Sequence, residues 1–122
     1  MTPDETVTAL IRACEARDLD AVCALVTDDI EYDNVPIGKV TGPDGVRSVL
    51  SGGVTQAAEQ VEWVVLHQVA TGDVVMNERV DRFLVDGRWI EIPIAAVFTV
   101  RDGRVSLWRD YFDLETYRRQ RP

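Results

Sequence analysis

Apolar residues recur every three or four positions through most of the first half of the chain, which is the spacing of amphipathic helices. The first helix is predicted to begin within Thr2–Glu5, which supplies an N-cap, a first-turn proline and early acidic side chains. The same spacing predicts a second, shorter helix over residues 18–26, stopped by the polar residues that follow it, and a third over residues 44–54. A short strand is predicted over residues 30–35, and residues 38–42 are predicted to form a loop.

Beyond Glu59 the pattern changes to the valine-rich, alternating segments that are typical of β-strands. Asp86-Gly87 and Arg101-Asp102-Gly103 are hairpin-turn signals between three of these segments. The predicted strands cover residues 60–69, 73–85, 88–100 and 104–112, and a polar helix or tail follows over residues 113–121. Because the helices precede the strands instead of alternating with them, we predict an α+β fold, organised as one domain over residues 1–122.

Side chains alternate between the two faces of a strand, so residues two apart share a face. This rule groups Arg79 with Asp81 on one strand and sets Asp110 between two aromatic residues on another. Tyr32 and Asn34 share a face of the short first strand. If these faces converge with the apolar face predicted for residues 88–100, they form an apolar pocket that contains a few polar groups. That is the usual form of a small-molecule site.

Composition then removes most of the common catalytic chemistries. The chain has 122 residues and a net charge of −8, so no basic surface for nucleic acid or for an anionic membrane is expected. Lys39 is the only lysine and His67 the only histidine, so a multi-histidine metal site is excluded and any Schiff base or histidine triad depends on one residue. Carboxylates, arginines, tyrosines and amides remain. Two carboxylates in different environments can divide acid and base roles, and an arginine can hold both.

The cysteines and the N-terminal segment indicate where in the cell the protein is expected to reside. Cys14 and Cys23 are nine residues apart, which matches neither a zinc nor a redox spacing, so both are interpreted as buried reduced thiols. The N-terminal segment lacks the basic start and apolar core of a signal peptide, and no apolar run approaches the ~20 residues of a membrane span. The protein is therefore expected to be soluble and cytoplasmic.

Each polar group also has a plainer interpretation. On spacing alone, Arg79 and Asp81 form an exposed ion pair, as such pairs usually are. Tyr32 and Asn34 alone fit a pair at the edge of a sheet, and His67 fits a surface or half-buried position on a strand. Burial decides between these interpretations and a functional site.

Taken together, three segments resemble the limonene-1,2-epoxide hydrolase family. They are Tyr32–Pro36, with the sequence YDNVP, Glu78–Asp81, with ERVD, and Trp108–Asp113, with WRDYFD. The likeness runs from the first helix to Leu114, with the elements in the same order. The wider superfamily includes ketosteroid isomerase, nuclear transport factor 2 and polyketide cyclases, and the fold alone does not choose among their functions.

The resemblance implies a cone-like, curved mixed sheet of the NTF2-like or cystatin-like type, with three or more N-terminal helices packed over a deep pocket. It implies a homodimer and one-step addition of water to a small or medium apolar epoxide, of which limonene epoxide is the family's example. No cofactor, metal or covalent intermediate is implied. Two other hypotheses stay open, namely an isomerase or epoxide-opening cyclase of the same fold, and a non-catalytic binding or dimerisation module.

Carried over residue by residue, the resemblance makes Asp110 the general base and Asp81 the general acid. Arg79 would bridge the two carboxylates, and Tyr32 and Asn34 would hold the nucleophilic water. The resemblance also implies an apolar substrate-binding lining, formed by Phe83, Ile92, Ile94, Phe112, Leu25 and Val49, together with Val22 and Val54.

Overall fold

The computed structural model describes residues 1–121 and contains five helices within that range. The helices are α1 (Pro3–Glu15), α2 (Leu19–Ala24), α3 (Gly42–Leu50), α4 (Gly53–Ala57) and α5 (Leu114–Gln120). The predicted start of α1 is confirmed, because the Thr2 side chain accepts from the Glu5 backbone N–H while the Glu5 carboxylate accepts from the Thr2 N–H. Asp18 caps α2 as predicted, through its carboxylate and the Ala21 N–H.

Six strands form one curved mixed sheet. They are β1 (Val26–Asn34), β2 (Gly38–Thr41), β3 (Gln60–Thr71), β4 (Val74–Val85), β5 (Arg88–Arg101) and β6 (Arg104–Tyr111). The strand order is β2-β1-β6-β5-β4-β3, and only the β1–β6 pairing is parallel among the described strands. The predicted α+β class is therefore confirmed. The parallel pairing matters for the site because it brings the end of β1 beside the end of β6.

Three predicted boundaries are wrong. The polar segment Thr27–Asp29 lies inside β1 and does not stop a helix, and α2 already ends at Ala24. Gly38–Thr41 is a strand and not a loop, because it pairs antiparallel with β1 from Asn34 to Glu31. These cross-strand hydrogen bonds outweigh the turn preference of the local sequence. The predicted third helix is two helices, broken at Gly53, whose φ of +60° favours glycine.

The core lies between the helices and one face of the sheet, called the inner face here. Val7, Leu10 and Ile11 of α1 are buried at or below 1% exposure, and α1 packs chiefly on β3. Phe98 of β5 and Trp108 of β6 are fully buried on the inner face. Within the described residues, no helix has the length and apolar composition needed to cross a bilayer.

Candidate active site

The inner face of β4 carries the polar residues that strand alternation grouped together. Asn77, Arg79 and Asp81 are all buried, and Arg79 has no exposed surface. β5 lies alongside, with Ile94 opposite Arg79 and Ile92 opposite Asp81. The interpretation of Arg79 and Asp81 as an exposed ion pair is therefore wrong. The two residues form a charged pair in an apolar interior, where such groups are kept only if they are paired.

The Arg79 guanidinium bridges two carboxylates. Its Nε donates to Asp81 Oδ1 at 3.0 Å and its Nη2 to Asp81 Oδ2 at 3.2 Å, so this contact is bidentate. The same Nη2 donates to Asp110 Oδ2 at 3.2 Å. The remaining edge of the guanidinium is held by Asn77, whose Oδ1 accepts from Nη1 at 3.1 Å. Arg79 is thus held on all sides and fixes the separation and orientation of the two aspartates.

Asp110 has a second donor. The indole Nε1 of Trp108 donates to Asp110 Oδ1 at 2.8 Å, so each carboxylate oxygen accepts one hydrogen bond from the protein. Each oxygen also keeps a free lone pair, since a carboxylate oxygen accepts two hydrogen bonds. Asp110 is 2% exposed yet lines the cavity described below, so a free lone pair can receive a proton from a molecule held there.

Tyr32 and Asn34 lie beside Asp110 because of the parallel β1–β6 pairing. Asn34 is opposite Asp110, and Tyr32 is opposite Trp108, with their rings stacked at a centroid distance of 4.0 Å. β1 runs between β2 and β6, so the interpretation as a sheet-edge pair is wrong. Both residues line the same cavity as Asp81 and Asp110.

Burial and charge set the protonation of these groups. Burial raises the pKa of Asp81 to about 6, against the opposing effect of the Arg79 charge and hydrogen bonds. Burial lowers the pKa of Arg79, but attraction from Asp110 and Asp81 outweighs it, so the guanidinium pKa is raised and the charge stays. Burial and the nearby Asp110 charge raise the pKa of Tyr32, so its phenol keeps its proton. The site therefore combines a fixed cation with a carboxyl that exchanges its proton near neutral pH.

The cavity has a volume of about 200 Å³. Six of the eight expected lining residues are in its wall, namely Phe83, Ile92, Ile94, Phe112, Val49 and Val54. Leu25 and Val22 are not in the wall. Leu25 follows α2 and its carbonyl accepts the Val105 N–H, while Val22 is fully buried in the core. Both were expected in the lining from the family resemblance, and helical spacing identifies an inward-facing residue but not what it faces.

Further residues of the wall were missed from the sequence. They are Ile37, Leu50, Gly52, Gly53, Thr55, Trp63 and Tyr117. Most come from the break between α3 and α4 and from the C-terminal helix, where the sequence pattern alone indicates no partner. Asn77 and Trp108 were also not predicted as hydrogen-bond partners of the charged groups. Strand alternation carried that signal, since each lies two residues from the group it contacts.

Other singled-out residues lie outside the cavity. His67 is exposed and its Nδ1 lies 2.9 Å from Glu78 Oε1, as expected of a surface position. Cys14 is buried, with burial raising its pKa, whereas Cys23 is half-buried; both are free thiols. Across residues 1–121 the structure shows no cluster of three or more His, Cys, Asp or Glu side chains that could hold a metal ion.

Comparison with known proteins identifies the family. The family model described as the limonene-1,2-epoxide hydrolase catalytic domain matches residues 1–121. Epoxide hydrolase EphG of Mycobacterium tuberculosis is 32% identical over 109 residues, which cover 88% of this chain and 71% of that protein. A solved LEH-like epoxide hydrolase from M. tuberculosis superposes with a TM-score of 0.80 at 29% identity, covering 96% of this chain and 86% of that one.

A more distant structure bears on the fold alone. A Catenulispora acidiphila protein with a ketosteroid isomerase-like fold, solved with trimethylamine, superposes with a TM-score of 0.84 at 24% identity. That match covers 98% of this chain and 93% of the other. The expected fold is thus confirmed, and the family match goes further than the fold. This chain belongs to the epoxide hydrolase family defined by the limonene-1,2-epoxide hydrolase catalytic domain.

Proposed function

We propose that this protein adds water to a small apolar epoxide in one step, giving a vicinal diol. The observation that carries the proposal is the buried Asp81–Arg79–Asp110 bridge, because both of its carboxylates line an apolar cavity. Epoxide opening needs a proton for the leaving oxygen and a base for the attacking water. Two carboxylates in different environments can supply both at once.

In the proposed step, Asp110 is the general base. Water held by Tyr32 and Asn34 attacks an epoxide carbon while Asp110 takes one of its protons. The carbon–oxygen bond of the ring breaks, and its electron pair goes to the oxygen, which takes the proton of Asp81. The product carries one oxygen from water and one from the epoxide. Each positioned acid or base typically contributes roughly 10²–10⁴-fold.

Arg79 keeps the charge of the site balanced during this step. Before reaction, one cation faces one carboxylate and one protonated carboxyl, so the buried group is neutral as a whole. After reaction Asp110 holds the proton and Asp81 is ionised, and the total is unchanged. Moving a proton between two carboxyls that share one guanidinium avoids leaving an unpaired charge in an apolar interior. Returning that proton from Asp110 to Asp81 completes the cycle.

The cavity size restricts the substrate. About 200 Å³ is smaller than most ligand pockets, which commonly measure roughly 300–1,000 Å³. The wall is apolar apart from the groups discussed above. A monocyclic or short-chain epoxide fits this description better than a sterol epoxide. Diol formation from limonene oxide, cyclohexene oxide and a cholesterol-type epoxide tests the proposal; we expect product from the first two, and no opening of any epoxide would refute it.

The rate is expected to fall at alkaline pH. Asp81 must be protonated to act as the acid, and its pKa is about 6. kcat/KM should therefore decrease about tenfold for each pH unit above this value, because the fraction of free enzyme with protonated Asp81 decreases by that factor. A pH–rate profile with cyclohexene oxide measures this. A kcat/KM that rises between about pH 6 and pH 9 would show that Asp81 does not act as the acid.

We also propose that the protein is a homodimer that associates through the outer face of its sheet. The outer face is the one turned away from the helices, and it exposes Val64, Val69, Met76 and Tyr111 by 40–65%. Val69 and Met76 are cross-strand partners, and Tyr111 follows the inward-facing Asp110. The same face also carries the exposed His67–Glu78 pair. Exposed apolar side chains of this size mark interfaces, and a second copy of the chain is the partner that the family resemblance implies.

A charge on that face is expected to dissociate the dimer. Met76→Glu introduces a carboxylate among apolar neighbours, where an unpaired charge is strongly disfavoured in an interface. Ser48→Glu, on the exposed side of α3, adds the same charge elsewhere and is the control. Sedimentation should show a dimer for the native chain and for Ser48→Glu but a monomer for Met76→Glu. A monomeric native chain would refute the proposal.

A further inference from the structure

Trp63 is a polar residue of the cavity wall that the proposed mechanism does not use. It lies on β3 directly opposite Asp81 of β4, and both residues line the cavity. Trp63 is only 3% exposed, although it borders the space in which a substrate would bind. The residue that carries this donor is therefore the cross-strand neighbour of the carboxyl that we propose as the acid.

The indole N–H of Trp63 has no hydrogen-bond acceptor among residues 1–121. The rest of the residue is held firmly in place. Its backbone N–H donates to Glu15 Oε2 at 2.8 Å, and the Arg79 guanidinium lies 5.1 Å from the centroid of its ring. Buried polar groups in folded proteins nearly always have partners, and an exception calls for an explanation such as a role in function.

The N–H of the second indole of the site already has an acceptor within the protein. Trp108 packs edge-on against Trp63, with ring centroids 6.3 Å apart, and its Nε1 donates to Asp110. Asp110 thus has its own indole donor in the free protein. The indole N–H of Trp63, in contrast, has no acceptor within the described part of the chain.

We infer that the Trp63 indole N–H donates a hydrogen bond to the epoxide oxygen of the bound substrate. This inference rests on the proposed function. The ring oxygen has two lone pairs, so one can take the Asp81 proton while the other accepts the N–H. Negative charge grows on this oxygen as the carbon–oxygen bond breaks, so a fixed donor stabilises the transition state more than the ground state. Trp63 keeps its proton throughout, and no bond to it is made or broken.

The first test is spectroscopic and does not depend on turnover. In Asp110→Asn, whose loss of the base slows turnover of the substrate, the indole N–H resonance of Trp63 is followed by NMR during titration. Cyclohexene oxide should move this resonance downfield, as a new hydrogen bond does. Cyclohexene, which has the same carbon ring but no oxygen, should not. Equal shifts with both ligands, or no shift with the epoxide up to its solubility limit, would overturn the inference.

The second test is kinetic. Trp63→Phe removes the donor and keeps an aromatic ring, so kcat/KM for cyclohexene oxide should fall roughly tenfold, the value of one neutral hydrogen bond. Competitive inhibition by cyclohexene should be nearly unchanged, because that ligand accepts no hydrogen bond. Trp89→Phe is the matched control, since Trp89 lies outside the cavity wall and packs against Arg82. A parallel loss of epoxide turnover and cyclohexene binding would assign Trp63 to packing alone and overturn the inference.

The role of Trp63 and the hydrolase function can be refuted independently of each other. If native protein forms diol but neither test responds as expected, the role of Trp63 is wrong and the hydrolase function stands. If no epoxide is opened but the Trp63 N–H responds to the oxygen-bearing ligand only, the hydrolase function is wrong and the donor stands.

Discussion

Replacing Asp110 with asparagine is expected to lower kcat for epoxide opening by roughly 10²–10⁴-fold, the usual contribution of a positioned general base. Asparagine has nearly the same shape and can still accept the Trp108 N–H, but its amide does not take a proton from water. The substrate still binds the same apolar wall, so KM should change little. Steady-state kinetics with cyclohexene oxide measures both quantities.

Asp113→Asn is the matched control for that loss. Asp113 lies three residues further on, caps α5 through the Thr116 N–H, and is exposed outside the cavity. Asparagine is an equally good cap, so this variant should retain native kcat and stability. A fully active Asp110→Asn would remove Asp110 from the role of base and with it the proposed mechanism.

Replacing Arg79 with methionine is expected to lower the free energy of unfolding by about 3–5 kcal/mol at neutral pH, the usual cost of breaking a buried ion pair from one side. Methionine fills much of the space, but it leaves Asp81 and Asp110 facing each other in an apolar interior without their shared cation. The loss should shrink as the pH is lowered toward about 4, because protonated carboxyls no longer repel. Urea denaturation at several pH values measures this dependence.

The control for Arg79 is an exposed arginine in a similar pair. Arg101 contacts the Asp29 carboxylate at 2.5 Å, with both side chains more than half exposed. Arg101→Met should leave the free energy of unfolding nearly unchanged, because an exposed ion pair contributes little to stability. If Arg79→Met does not fold at all, Arg79→Lys replaces it. Lysine keeps the positive charge but not the planar guanidinium that contacts both carboxylates, so this variant should fold with an intermediate loss in the free energy of unfolding. Equal stability of Arg79→Met and Arg101→Met would contradict the account of the buried bridge.

The alternation of side chains along strands predicted the inner faces of β4, β5 and β6 correctly. Arg79, Asp81 and Asp110 are buried on those faces, whereas the bridge through Arg79 was implied by the family resemblance. Such predictions succeed because the period of two is a local property of the backbone. The parallel β1–β6 pairing, which brings Asn34 to Asp110, joins segments far apart in sequence. The family resemblance implied a mixed sheet, but neither it nor any local pattern predicted this pairing.

What the sequence could not predict depends on long-range packing. Leu25 was expected in the lining of the cavity but packs at the edge of the core. The apolar spacing of a short helix does not distinguish residues that face the core from residues that face the cavity. The unpaired N–H of Trp63 depends on the absence of an acceptor from every neighbouring element. A pattern of apolar and polar positions contains no such information. Features of this kind depend on which strands pair, such as β3 with β4, and not on the local sequence.

A single-turnover experiment distinguishes direct attack of water on the epoxide from a reaction through a covalent intermediate. Native protein in excess over cyclohexene oxide is mixed in water enriched in heavy oxygen, so that each molecule turns over at most once. The account predicts one heavy oxygen in every diol molecule formed. Diol from this first turnover without the label, with heavy oxygen appearing in a carboxylate of the protein afterwards, would mean that an aspartate attacks the epoxide and would contradict it.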